Sequence, residues 1–241
     1  MVWIGIYVAL MNLALRFCGG FDDLATKTPG QVAVPVGCIL LLAAAATVWI
    51  LRNGLAKEFA LCRFRGRPGE FLWFIPLIVL SATNLKNGLA LPAPPAVAVL
   101  MMVNLAAAGY VEEVIFRGFL FGAMAKDNLR SAVIVSAVTF GVGHIVNLAN
   151  TADTLGVLLQ VCYAIAIGFL YTILVHRGGS LWPCILSHMT VNGSSVFAAE
   201  QGPFTELVGS PAAAQIVNAA LIIALSVGYA LWLVRQNSKK V

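Results

Sequence analysis

Charge is what this chain has least of. Only 10% of its 241 residues are Asp, Glu, Lys or Arg, while 60% are hydrophobic and the mean hydropathy is +0.91. A soluble domain carries about 25% charged residues. So apolar a composition cannot be hidden in one water-facing core, which excludes an ordinary soluble protein. It predicts an all-α polytopic membrane bundle. The length suits one helical domain over residues 1–241, not two. The formal charge of +5 is modest, and nucleic acid is excluded as a partner.

Cysteine chemistry is missing too. Cys18, Cys38, Cys62, Cys162 and Cys184 are odd in number and show no CxxC or CxxH spacing. Most lie in apolar runs, where cysteine behaves as a small hydrophobe. A disulfide framework is not expected. The first twenty residues lack a basic start and a small-x-small cleavage site, so they read as a retained span. Arg16 and Phe17 stand where a lipoprotein signal wants small residues, so lipidation of Cys18 is not expected. There is no low-complexity segment and no internal repeat.

What is present is long apolar runs. A membrane helix needs about 20 mainly apolar residues. Eight segments qualify, at roughly 2–18, 32–51, 70–90, 95–125, 131–149, 154–175, 180–199 and 211–234, which predicts about eight transmembrane helices. Turn-forming stretches such as "LPAPP", "HRGGS" and "EQGPFTE" separate them. The third is interrupted by Asn84, Lys86 and Asn87 and is expected to bend or leave the membrane early.

The loop charges set an orientation. One alternate set of loops carries Arg52, Lys57, Arg63, Arg65, Arg67, Lys126, Arg130, Arg177, Arg235, Lys239 and Lys240. The other set has Lys27 against Asp22, Asp23, Asp153, Glu200 and Glu206. This asymmetry predicts that both termini are cytoplasmic.

Few ionisable groups remain inside the spans, and such groups usually mark function. Span four holds Glu112, Glu113 and Arg117, span five ends at His144, and span seven contains His188 and Asn192. Glu112 lies 14 residues before Lys126, and His144 lies 14 after Arg130. His188 and Asn192 lie 11 and 15 residues after Arg177. At 1.5 Å per residue, all four sit about 16 to 22 Å from the basic boundary, near mid-bilayer. A shared depth on three helices predicts one buried site.

Helical spacing sorts these groups. Glu113 and Arg117 are i and i+4 and can pair, a largely structural use. Glu112 is rotated about 100° away and can face another helix. His188 with Asn192 and Phe140 with His144 repeat the i, i+4 spacing, with Phe140 as an aromatic wall. His176, beside Arg177 at the water boundary, reads as incidental. Gly118 and Gly122 form a small-xxx-small pair that suits close packing.

Several catalytic signatures are lacking. There is no GxSxG, HExxH or GxGD motif and no phosphate-binding glycine loop. A desolvated carboxylate beside a histidine can instead activate a water. A second histidine and an asparagine amide can donate to a developing oxyanion. That set suits amide hydrolysis.

The stretches "EEVIFR", "FGVGH" and "HMTVN" fit the patterns EExxxR, FxxxH and HxxxN, in order and on separate spans. The chain resembles the CPBP family, the CAAX protease and bacteriocin-processing (Abi) intramembrane proteases. The motifs cover residues 112 to 192, within a motif-bearing core of about 95–200. The resemblance implies an eight-helix core and a glutamate-dependent endopeptidase. Glu112 with His144 would activate water, His188 and Asn192 would stabilise the oxyanion, and Glu113 with Arg117 would support the site. No cofactor is favoured. The alternative is zinc held by Glu112, His144 and His188.

The expected substrate is a membrane-associated peptide or protein, with the lipid bilayer as the surrounding partner. The near-bare core leans towards a bacterial plasma membrane and a non-prenyl role. Two other classes compete. One is a non-catalytic scaffold or bacteriocin-immunity protein of the same fold. The other is a small proton-coupled transporter, which would show symmetry between its halves and broken helices at matching positions. Neither feature is found.

Overall fold

The computed structural model describes residues 2–18, 24–65, 74–91, 93–149, 151 and 153–238. Asp22, Asp23, Arg67, Lys239, Lys240, the start of the third apolar run and the side chain of Cys18 lie outside the described residues. Ten α-helices follow in order: α1 (Val2–Cys18), α2 (Pro29–Arg52), α3 (Ile75–Ala82), α4 (Pro95–Glu113), α5 (Gly122–Met124), α6 (Leu129–Gly143), α7 (Thr154–Gly178), α8 (Trp182–Ser195), α9 (Pro203–Val208) and α10 (Pro211–Ser238). A π-helical stretch, Val114–Phe121, joins α4 to α5 without a break. A 3-10 turn, His144–Ala149, prolongs α6.

The punctuation read from the sequence becomes caps. Thr28 and Gln31 form a reciprocal capping box ahead of α2, with Pro29 in the first turn. Asn128 and Asp153 accept backbone N–H groups at the starts of α6 and α7. Gly179, in the left-handed region at φ 63°, ends α7. Each cap satisfies a polar backbone group that a helix end otherwise leaves unpaired.

The all-α membrane bundle is confirmed, with unequal spans. Among the described residues, five helical stretches are long and apolar enough to cross a membrane: Pro29–Arg52, Pro95–Met124, Leu129–Ala149, Thr154–Gly178 and Pro211–Gln236. The other three of the eight expected segments are shorter. Val2–Ala14 and Ile75–Leu85 are short apolar helices, and α8 has 14 residues. At 1.5 Å per residue, α8 is about 21 Å long, less than the hydrocarbon thickness.

The early end of α3 has a cause. Asn84 donates to the Val191 carbonyl at 2.7 Å and to Ser194 at 2.9 Å, both on α8. Asn87 donates to the Glu200 carbonyl and the Thr205 hydroxyl and accepts the Thr205 N–H. The polar residues that interrupt the third run strap its end to α8 and α9.

Packing places α4 at the centre. It contacts α2 on one side and α8 on the other, while α7 packs between α6 and α10. Val111, Ile115 and Phe140 share one buried cluster with Ile39 and Leu42 of α2. Val114 belongs to a second cluster with Tyr171, Leu174 and Ile185. Large apolar side chains such as Leu41, Ile78, Ile134 and Leu186 point outward, as a lipid-facing surface requires. Gly118 and Gly122 face the main chain of Phe59 and Glu58, each at 3.5 Å from where a Cβ would sit, so this small pair admits the segment after α2.

Candidate active site

Two glycines set the helix approaches that the site needs. At Gly109 of α4, a Cβ would lie 3.2 Å from the backbone of His188 and Met189 on α8. The missing side chain lets α8 lie against α4 where His188 stands. At Gly141, inside the "FGVGH" stretch, a Cβ would lie 2.7 Å from Ile165 N and 2.8 Å from Val161 O of α7. That close contact brings α6, with Phe140 and His144, against α7.

Glu113 is the anchor. Its carboxylate is fully buried, and Oε1 accepts from Arg117 Nη1 at 2.8 Å and meets His188 Nδ1 at 2.8 Å. The Arg117 guanidinium is buried beneath two aromatic faces, 4.0 Å from the Phe140 centroid and 5.5 Å from that of Tyr171. The ion pair read from the i, i+4 spacing therefore exists, and it extends to a histidine that the spacing did not show.

Glu112 faces another way. Its Oε1 accepts from the Tyr7 hydroxyl of α1 at 2.5 Å. Its Oε2 is buried without a hydrogen-bond partner and stands 3.5 Å from His188 Nε2. The two adjacent carboxylates thus meet opposite nitrogens of one imidazole. Since a carboxylate accepts, His188 carries its proton on Nδ1 towards Glu113, and Nε2 faces Glu112.

His144 stands at the C-terminus of α6, half-buried. Its Nδ1 is 3.0 Å from the Phe140 carbonyl, which only accepts, so Nδ1 is the protonated nitrogen and Nε2 holds the lone pair. Phe140 packs against both histidines. Its ring centroid is 5.0 Å from that of His144 and 5.6 Å from that of His188, near-perpendicular to both. The aromatic wall expected beside one histidine serves two.

Asn192 sits one turn beyond His188. Its Nδ2 donates to the Leu105 carbonyl of α4 at a long 3.4 Å. An amide nitrogen has two hydrogens, so one N–H remains beyond that bond. His176 stands apart, edge-on to Phe121.

Sequence reasoning missed three features. Tyr7 was one, because a tyrosine in a membrane span carries no signal of its partner. The π-helical stretch directly after Glu113 was another; such widened turns are frequent at functional sites. The Ser136 hydroxyl donates into it, to the Phe116 carbonyl at 2.9 Å. The third was the double contact of His188.

The alternative of zinc names Glu112, His144 and His188 as ligands; among the described residues, no three His, Cys, Asp or Glu side chains are grouped so as to hold a metal ion.

Residues 94–194 match the model of a family described as type II CAAX prenyl endopeptidase Rce1-like. That interval contains Glu112, Glu113, Arg117, His144, His188 and Asn192. Over that interval the chain is similar to the CPBP (CAAX protease) family. The Bacillus subtilis (strain 168) protein named "Putative membrane peptidase YdiL" is 33% identical over 98 residues, covering 40% of this chain. The matched stretch spans 36% of that relative. No solved structure matches the chain. The apolar helices make this an integral membrane protein, and the similarity to a protease family covers residues 94–194; α1, which carries Tyr7, lies outside the matched segment.

Proposed function

We propose that the protein is an intramembrane endopeptidase that hydrolyses a peptide bond with a water activated by Glu112 and His144. The observation that carries this reading is the Glu112 carboxylate itself. One of its oxygens is held, and the other is buried, unpartnered and 3.5 Å from an imidazole nitrogen. An unpaired oxygen in a desolvated place is costly, and functional sites are where such a cost is tolerated.

In the proposed reaction, Glu112 takes a proton from water and the water oxygen bonds to the peptide carbonyl carbon. His144 Nε2, free to accept, orients that water. The carbonyl oxygen becomes negative and receives the second N–H of Asn192 and, with the imidazole protonated on both nitrogens, the Nε2–H of His188. Collapse breaks the C–N bond, and Glu112 passes its proton to the leaving amine. The products are a carboxylic acid and an amine.

Glu113 and Arg117 fix His188 from behind. The substrate is a membrane-associated peptide or protein, met within the bilayer. We place both termini on the cytoplasmic side, as the loop charges favour, and read residues 1–241 as one domain.

The test is proteolysis of candidate membrane peptides in liposomes by wild type, Glu112→Ala and His144→Ala, with and without a chelator. Cleavage by wild type alone, indifferent to chelator, is expected. Equal cleavage by all three proteins would sink the mechanism. Loss of cleavage with chelator, restored by zinc, would overturn the metal-free form.

A further inference from the structure

The basic group of this site needs one defined oxygen. A carboxylate in a buried pocket can rotate about its last bond and exchange its two oxygens. Here it is held. The Tyr7 hydroxyl donates to Oε1 of Glu112, which leaves Oε2 as the oxygen facing His188 Nε2.

The register of α1 is set one turn away. The Trp3 ring packs against Trp49 of α2 at 6.1 Å and Phe119 of the π-helical stretch at 5.6 Å. Tyr7 follows Trp3 by four residues and so shares its face. Trp3 reaches Phe119 while Tyr7 reaches Glu112, so α1 runs antiparallel to the span that bears the site. The Tyr7 body joins the apolar cluster of Val111, Ile115 and Phe116, and only its hydroxyl meets a charged group. An aromatic ring with one polar tip suits this task, since the ring is anchored by packing and the tip by its hydrogen bond.

We infer that Tyr7 is the positioning residue of Glu112, and that α1 is thereby part of the active site although it lies outside the segment that carries the family match. The inference rests on the proposed function. Tyr7 touches no reacting atom. It acts by fixing which carboxylate oxygen receives the proton of water.

The experiment has two arms. In the first, Tyr7→Phe removes the hydroxyl and keeps the ring. Cleavage of a membrane peptide in liposomes should show kcat lower by roughly 10- to 100-fold, the range for a hydrogen bond to a charged group, with KM unchanged. A wild-type kcat in Tyr7→Phe, or an equal loss through KM, would overturn the inference.

In the second arm, 3-fluorotyrosine at position 7 is read by fluorine NMR in the otherwise native protein. Its signal should move with Glu112→Gln and stay with His176→Ala. A signal indifferent to Glu112→Gln would overturn the inference whether or not the protein cuts a peptide. A signal that moves in a protein that cuts nothing would support the contact and count against the proposed function instead.

Discussion

Glu112 and Glu113 are neighbours in sequence and have opposite surroundings. Glu113 is closed off: its Oε1 is shared by Arg117 and His188, and nothing of it reaches solvent. Glu112 is held on one side only, and its side chain keeps 12% exposure. One helical step of about 100° separates the two faces. Each carboxylate keeps one buried oxygen without a hydrogen-bond partner. What separates them is that Glu113 is ion-paired to Arg117 and sealed from solvent, which makes it part of the architecture, while Glu112 has no guanidinium partner and keeps some exposure, which leaves it available for chemistry.

If Glu113 is architectural, removing its partner should cost stability before activity is considered. Arg117→Leu strands a buried carboxylate, for which a loss of about 3–5 kcal/mol is expected. Thermal unfolding in detergent should show a large drop in the midpoint or no folded protein. A midpoint within error of wild type would break the comparison on its closed side.

His188 belongs to both sides. His188→Ala should lower kcat by roughly a thousandfold, by analogy with loss of an oxyanion donor. It should also lower the unfolding midpoint, because Glu113 loses a hydrogen bond. A change in rate without a change in midpoint would show that the contact with Glu113 is dispensable.

His144 belongs to the open side alone. Its ring contacts are the Phe140 carbonyl and ring. His144→Ala should therefore lower kcat by about a hundredfold and leave the midpoint nearly where it was. The smallest effect is expected at Gly109. Its Cβ would press on the α8 backbone at 3.2 Å, and Gly109→Ala should cost roughly 1–3 kcal/mol of overpacking. It should also shift His188 enough to slow cleavage. Full activity with an unchanged midpoint would show that the helix approach is looser than described.

Much of this was legible in the sequence. The spacing of Glu113 and Arg117 read as a pair, and the pair is there at 2.8 Å. Asn84 and Asn87 marked where the third run would fail, and they strap α3 to its neighbours. The depth estimate grouped Glu112 with His188, which stand 3.5 Å apart. What was not legible depends on the third dimension. Hydropathy counts apolar residues but does not see that α8 stops after 14 residues. A π-helical turn has no composition of its own, so the widening after Glu113 was invisible. The partner of Tyr7 is 105 residues away, and no periodicity links two helices. Asn192 read as sharing a polar face with His188, and the spacing did not show its bond across to Leu105 on α4.

The most direct test of the division is to compare Glu112→Gln and Glu113→Gln in the same liposomes, measuring the cleavage rate and the unfolding midpoint of each. The account predicts that Glu112→Gln abolishes cleavage at a wild-type midpoint, while Glu113→Gln lowers the midpoint. Cleavage at the wild-type rate by Glu112→Gln, or the same pattern of loss in both variants, would contradict it.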